Sequence, residues 1–265
     1  MNAAYPLRGS RAAWVGLRVV LGLLLLWVIC VVAWSITNLQ AGFDYQTYMA
    51  AVGRWLSGGS FYEPYQLAGP YQVVNREVLY PPIILPLLAA FSILPAILWW
   101  IVPMGIFSGV VVRWRPSLVG WAAILACLGA IRPIGEIVGG NPVMWIAAFV
   151  ALGTIWGWPA VFVALKPTLL PFMFIGIRRR SWWVAAAALT IISMGFLPLW
   201  FAYAHVLLNA RGPLVNPLYS LGDVPLLLIP IVARATSLRR PVHLRTSAHR
   251  APAEVPAETL YRIRP

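Results

Sequence analysis

Long apolar runs, separated by short polar or basic breaks, make up most of the chain. Most are close to the roughly 20 residues that an α-helix needs to cross the hydrocarbon core of a bilayer. The runs lie at 14–36, 80–112, 117–131, 143–156, 158–177, 182–208 and 221–233. They are continuously apolar instead of alternating, which favours helices over membrane-spanning strands. We therefore predict an all-α, polytopic membrane protein with about eight crossings, within a range of about seven to nine.

Several apolar runs contain prolines or charged residues that predict a break within the run. The run 80–112 exceeds one crossing, and its prolines predict two short helices that turn near Pro95. The run 182–208 is expected to break near Pro198. Arg132 to Glu136 is expected to interrupt the apolar pattern before a helix at 143–156. The path between 80 and 177 therefore determines which loops share a side of the membrane.

One polar, aromatic-rich loop, residues 37–79, follows the first predicted helix. We expect it to be external and to contain an amphipathic helix lying along the membrane surface. The apolar residues at helical spacing are Tyr45, Tyr48, Met49, Val52, Trp55 and Leu56. Because so many residues of a mostly apolar chain form this polar loop, we expect functional residues to lie within it.

The composition agrees with a membrane protein. Hydrophobic residues make up 61% of the chain and charged residues 10%, whereas soluble domains carry about 25% charged residues. The net charge of +13 comes from arginines at the ends of apolar runs, as the positive-inside rule expects, and does not indicate nucleic acid. We predict a cytoplasmic arm at 1–13, a membrane domain at 14–233 and a disordered, basic cytoplasmic tail at 234–265.

The two cysteines, Cys30 and Cys127, both lie within apolar runs. They form neither a disulfide framework nor a metal-ligand pattern. We therefore expect no metal and no cofactor.

Asp44 is the first candidate for a chemical role. It lies just beyond the first predicted helix and just before the amphipathic one. Its carboxylate could cap that helix by accepting backbone N–H bonds. It could also act as a general base on an acceptor hydroxyl at the membrane surface. The two roles are compatible.

Lys166, the sole lysine, lies within an apolar run. Burying a cation there costs several kcal/mol by insertion scales. Pro167 disfavours helical geometry at Lys166 and predicts a break, which is usually tolerated at membrane depth where the backbone lines a cavity. Lys166 is either a snorkelling side chain at a helix end or part of an anion site, most naturally for a lipid phosphate.

Other polar residues could complete such a site. Arg132 and Glu136 are spaced to pair on one helix face, or they line the same cavity as Lys166. Asn141 begins the next helix, where backbone N–H groups favour anions. Tyr80, before two prolines, is either an interfacial tyrosine or faces the reaction site. His205 is either structural or a second proton-handling group.

The order of these motifs resembles the GT-C glycosyltransferases. Asp44-Tyr45, Gly58-Gly59-Ser60-Phe61-Tyr62, Tyr80-Pro81-Pro82, Arg132-Pro133 with Glu136 and Gly140-Asn141, and Lys166-Pro167-Thr168 follow one another as in the actinobacterial family 87, which uses polyprenol-phosphate sugars. The resemblance covers roughly residues 15–220. Relative to that family the chain is short, and it has Asn141 where a glutamine is usual.

The resemblance implies a GT-C fold and inverting transfer of a hexose, mannose favoured, at the non-cytoplasmic face of the plasma membrane. Asp44 would be the base. Lys166, Arg132, Asn141 and Tyr80 would bind the donor, and Tyr45, Glu136 and His205 would support the site. The expected partners are the lipid-linked donor, membrane lipids, a glycan or glycolipid acceptor and a second membrane protein.

Three other functions stay open at this point. A non-catalytic lipid-phosphate-binding subunit would keep Lys166 and lose turnover. A small transporter or flippase should show inverted repeats with paired broken helices, yet Lys166-Pro167 has no counterpart in the first half. A membrane scaffold would leave the cost of Lys166 unexplained.

Overall fold

The protein is mostly helical in the computed structural model, which describes residues 11–38, 41–74, 77–212 and 221–238. The α-helices of these residues are α1 (Arg11–Asn38), α2 (Phe43–Leu56), α3 (Pro64–Ala68), α4 (Leu85–Ser92), α5 (Leu98–Trp114), α6 (Leu118–Leu128), α7 (Ile131–Gly139), α8 (Val143–Trp156), α9 (Arg180–Met194), α10 (Leu197–Asn209) and α11 (Val224–Ala235). The longer connections include 3-10 helices at Pro82–Ile84, Trp158–Leu165 and Pro167–Phe174. Two short parallel strands, β1 (Tyr71–Gln72) and β2 (Ala210–Arg211), complete the fold.

Helix α8 lies at the centre of the bundle. It packs against α5, α11 and the 3-10 helix Trp158–Leu165. Its sequence is apolar on all sides, as expected for a helix surrounded by others, and its small residues let neighbours approach closely. A Cβ atom on Gly153, for instance, would lie 2.8 Å from the Cβ of Ala160. Because α8 is central and closely packed, the two ends of this helix define the two ends of the bundle.

Helix α1 differs from the others in length and exposure. The segment Ala13–Asn38 is long and apolar enough to cross a membrane, and only 11% of its most apolar window is buried. Two bent pairs, α6 with α7 and α9 with α10, also pass that test when each pair is taken together. By length and composition, the described residues therefore contain one candidate span, or up to three. The prediction of eight crossings is not confirmed by helix length, because most apolar runs fold into shorter helices.

Several predicted breaks are present. The run 80–112 divides into α4 and α5 on either side of Pro95, and the run 182–208 divides near Pro198, where α9 and α10 meet at 86°. The helix predicted at 143–156 has those bounds as α8. Lys166 separates two 3-10 helices, with φ −130° and ψ 91°, as Pro167 predicts.

The polar residues at 132–136 lie in α7, which is bent by 66° from α6 after a break at 129–130. One prediction about the chain's organisation is wrong. The predicted disordered tail begins too early. Residues 234 and 235 complete α11, and the backbone N–H of Leu238 donates to Arg115 O over 3.1 Å. The arm 1–10 and the tail 239–265 lie outside the described residues.

The amphipathic helix predicted within the loop is α2, but its apolar face packs on the protein. Tyr48 and Val52 are buried, and the ring centroids of Tyr48 and Tyr80 lie 5.4 Å apart. The tyrosine and tryptophan side chains of α2 thus find protein partners where the sequence predicted a membrane surface. This packing holds the start of α2, and with it Asp44, against the bundle.

Exposed arginines gather at the end of the bundle where α8 finishes. Arg179 Nη1 donates to Ile155 O over 2.6 Å, and Arg234 Nη1 donates to Thr154 O over 2.9 Å. Arg115, at the end of α5, is held beside the same region through Leu238. We call this surface the arginine end, and its exposed members are Arg113, Arg115, Arg178, Arg179, Arg180 and Arg234.

Candidate functional site

Asp44 is positioned by the turn that begins α2. Gly42 adopts φ 75° and ψ 10°, a left-handed conformation that favours glycine, and its N–H donates to Val138 O over 2.9 Å. This bond fixes the start of α2 against α7. Asp44 lies in the first turn, where the helix dipole favours a carboxylate. The N-cap is Gly42, so Asp44 does not occupy the capping position that its spacing suggested.

Asn141 joins Asp44 to Tyr80. Its Nδ2 donates to Asp44 Oδ2 over 2.9 Å, and its Oδ1 accepts from the Tyr80 hydroxyl over 2.7 Å. The same Oδ1 accepts from the N–H of Val143 over 3.1 Å. Because a backbone N–H can only donate, this last bond fixes which side of the amide carries oxygen. Asn141 therefore presents its amide donors to the Asp44 carboxylate.

The turn before Asn141 needs glycine. Gly140 has φ 77°, and a Cβ atom there would lie 2.7 Å from Trp100 Cζ2 and 2.9 Å from Tyr45 Cβ. Trp99 Nε1 donates to Gly140 O over 2.8 Å. Tyr45 packs against the indoles of Trp99 and Trp100, with centroid distances of 5.8 and 5.2 Å. The aromatic packing, together with the lack of a side chain at Gly140, holds Asn141 against α2.

Lys166 and Arg132 share one buried carboxylate. Lys166 Nζ lies 2.7 Å from Asp223 Oδ2, and Arg132 Nε lies 2.8 Å from Asp223 Oδ1. The Asp223 side chain is 0% exposed. Arg132 Nη2 also lies 3.2 Å from Glu136 Oε1, which is the predicted pair one turn along α7. Charge-assisted hydrogen bonds at these distances are among the strongest in proteins.

The two groups of side chains meet at Tyr80. Lys166 Nζ lies 5.7 Å from the centroid of the Tyr80 ring, whose hydroxyl bonds Asn141. Asp44, Asn141, Tyr80, Lys166, Arg132, Glu136 and Asp223 therefore form one connected set, which we call the polar cluster. Asp44 and Lys166, which are 122 positions apart in the chain, belong to the same site.

Electrostatics also connect the two groups. Burial raises the pKa of Asp44 above its ordinary value, and the Asn141 hydrogen bond and the charges of Lys166 and Arg132 partly offset that rise. The Tyr80 side chain is buried, and its hydroxyl donates to Asn141 Oδ1. The cluster thus contains a carboxylate whose basicity is increased by burial and two cations that stabilise negative charge.

His205 lies apart from the cluster. It is exposed on α10, whose buried residues are Tyr203 and Val206. Within the described part of the chain, the structure gives His205 no hydrogen bond or ion pair with a cluster residue. The proton-handling role considered for it therefore has no geometric support.

Asp223 is the cluster residue that the sequence reasoning missed. It immediately precedes α11 and is one of seven acidic residues in the chain. A signal for it was available, because a cation buried in an apolar run requires a counter-charge. Asp223 is one of the few acidic residues that could neutralise Lys166, and this requirement would have identified it as a candidate. Among the described residues, no group of three or more His, Cys, Asp or Glu is arranged so that it could hold a metal ion.

Comparison with known proteins gives no match, whether to a protein-family model, to a curated protein or to a solved structure.

Proposed function

We propose that the protein is a multi-pass membrane glycosyltransferase of the GT-C type. It would transfer a hexose, mannose favoured, from a polyprenyl-phosphate donor to a lipid or glycan acceptor. The observation that supports this proposal is the connection of Asp44 to Lys166 through Asn141 and Tyr80. A base for the acceptor and cations for the leaving phosphate are both required for this chemistry, and both lie in one cluster.

The proposed orientation follows from where the charges lie. The polar cluster lies at the start of α8 and the arginine end at its finish, which are separated by about 20 Å for a helix of this length. The positive-inside rule places the arginine end in the cytoplasm, so the polar cluster faces the other side. With about eight crossings both termini would be cytoplasmic. The shorter apolar helices would complete a membrane domain around α8.

The proposed reaction is a direct displacement at the anomeric carbon. An acceptor oxygen forms a bond to that carbon as the bond to the phosphate oxygen breaks, and the acceptor proton passes to Asp44. The raised pKa of Asp44 makes it a stronger base than an exposed aspartate. The polyprenyl phosphate leaves with the electron pair, and Lys166 and Arg132 stabilise its charge. The configuration at the anomeric carbon inverts.

A second function is favoured by one specific observation. Lys166 and Arg132 are already paired with Asp223, so a donor phosphate has to share these cations or displace a carboxylate. A non-catalytic protein that binds lipid phosphate weakly, alone or beside a catalytic membrane partner, would have the same cluster. A transport or flippase role has no comparable support.

Asp44→Asn in membranes supplied with a polyprenyl-phosphate sugar tests the proposal. Asparagine can accept the same hydrogen bond from Asn141, so folding should be retained while transfer falls by about 10²- to 10⁴-fold. Glu63→Gln is a matched control, since Glu63 pairs with Arg54 on the protein surface. Unchanged transfer by the Asp44 variant would overturn the catalytic role. Donor binding without any transfer by the parent would favour the non-catalytic function.

A further inference from the structure

Among the residues that the structure describes, no carboxylate pairs with an arginine of the arginine end. The ion pairs of the described residues join Arg54 to Glu63, Arg132 to Glu136 and Asp223, and Lys166 to Asp223. None of these includes an arginine of that end. The remaining described acidic residues are also engaged elsewhere: Asp44 bonds Asn141, and Glu77 accepts from the Tyr65 hydroxyl. Positive charge at this end is therefore left for a partner outside the described chain.

Two guanidinium groups converge at the finish of α8. Arg179 donates to Ile155 O and Arg234 to Thr154 O, which are consecutive carbonyls of the same helix. These bonds satisfy orphan C=O groups at the helix end. They use only Nη1 of each guanidinium, and each group has five N–H donors in all. Neighbouring, partly free guanidinium groups on an exposed surface suit a phosphate ester.

Tryptophans surround these arginines. Arg234 lies over the Trp114 ring, with Cζ 5.5 Å from the centroid. Trp156 is 51% exposed, Trp158 is 42% exposed and Trp183 is 60% exposed, all near the same end. Exposed indoles favour the level of lipid headgroups, where one edge is apolar and the other is wet. Binding of a soluble acidic ligand would not explain why these apolar rings are exposed.

We propose that the arginine end binds the headgroups of anionic phospholipids, with Arg179 and Arg234 at its centre. The proposal rests on the membrane embedding proposed above and not on glycosyl transfer. Each arginine near an anionic surface contributes roughly a fivefold change in affinity. Several charges on one face therefore give a clear preference for anionic over zwitterionic lipids of the same chain length.

Native mass spectrometry of the purified full chain, counting retained phosphatidylglycerol against phosphatidylcholine, tests this proposal. We expect phosphatidylglycerol to be retained preferentially and Arg178→Gln and Arg179→Gln each to lower that retention by about fivefold. Arg54→Gln, which removes a charge paired with Glu63 on α2, should leave it unchanged. Arg179→Lys keeps the charge, so it should restore much of the retention and shows that the loss is not misfolding.

Several outcomes would overturn the proposal. Equal retention of both lipids, or full retention by the glutamine variants, would remove the charge argument. Displacement of the lipid by inorganic phosphate at the same concentration would assign a site for free phosphate. Tighter binding of an RNA oligonucleotide than of phosphatidylglycerol would assign a different class of partner. Lipid retention is measured without a sugar donor, so its failure is distinguishable from a failure of the glycosyltransferase proposal.

Discussion

Asp223→Asn should weaken the fold more than any other single change in the polar cluster. The substitution keeps the shape of the side chain but removes the charge that Lys166 and Arg132 share. Removing one partner of a buried ion pair costs about 3–5 kcal/mol. Arg132 retains Glu136, and both cations are partly exposed, so we expect the lower value, about 3 kcal/mol. For a chain of this size that corresponds to a fall in Tm of roughly 6–12 °C.

Thermal unfolding in detergent measures this effect, and a double-mutant cycle assigns it to the ion pair. Lys166→Met alone leaves Asp223 with Arg132. Lys166→Met combined with Asp223→Asn removes both charges of the pair, so its loss of stability should be smaller than the sum of the single losses, by about 0.5–3 kcal/mol. Glu63→Gln, which weakens the half-buried pair with Arg54 outside the cluster, should cost no more than about 1 kcal/mol. Additive losses, or an unchanged Tm for Asp223→Asn, would refute the reasoning.

Two further substitutions test how Asn141 is held. Gly140→Ala places a Cβ atom 2.7 Å from Trp100 Cζ2 at a residue with φ 77°. We therefore expect the unfolding free energy to fall by about 1–3 kcal/mol. A variant as stable as the parent would contradict this packing. Tyr80→Phe removes the hydroxyl that donates to Asn141 and should lower the unfolding free energy by about 1 kcal/mol. In the same unfolding assay, an unchanged or higher stability would show that this bond does not stabilise the fold.

The helices could largely be predicted from the sequence because apolar runs and prolines act locally. Pro95 and Pro198 lie where long runs divide, and Pro167 predicts the break at Lys166. Pro133 lies in the first turn of α7, where proline does not end a helix. Which apolar faces meet protein and which meet lipid depends on tertiary packing. That is why α2 was expected on a membrane surface and instead packs its apolar face on the bundle.

The site could be predicted only in part. Asp44 was identifiable as an acidic residue of the polar loop just before a predicted helix, and Lys166 as a costly charge within an apolar run. The bond between Asn141 and Asp44, and the shared counter-charge Asp223, depend on contacts between residues 97 and 57 positions apart. The spacing of residues along the chain does not predict contacts between residues so far apart in sequence. The helical spacing of Arg132 and Glu136 did predict their ion pair, because both lie on α7.

The raised pKa of Asp44 predicts a pH dependence of stability with a definite sign. Between the ordinary pKa of 3.8 and the raised folded-state value, the folded chain binds more protons at Asp44 than the unfolded chain does. The contribution of Asp44 therefore favours the folded state at low pH and is lost as the pH rises through this window. Asp44→Asn should flatten that part of the stability–pH curve in a denaturation series. A curve with the same slope in the variant would contradict this assignment.

The charge balance of the cluster extends this prediction to donor binding. Among the described residues, Asp44, Glu136 and Asp223 share two cations, Lys166 and Arg132. A lipid phosphate entering beside them adds further negative charge, and like charges in a partly buried site favour protonation. Under the proposed function, donor binding should therefore take up a proton and strengthen as the pH falls, whereas transfer requires deprotonated Asp44 and weakens. Calorimetry in two buffers of different ionisation enthalpy measures the uptake. Binding without proton uptake would mean that the phosphate does not enter the cluster.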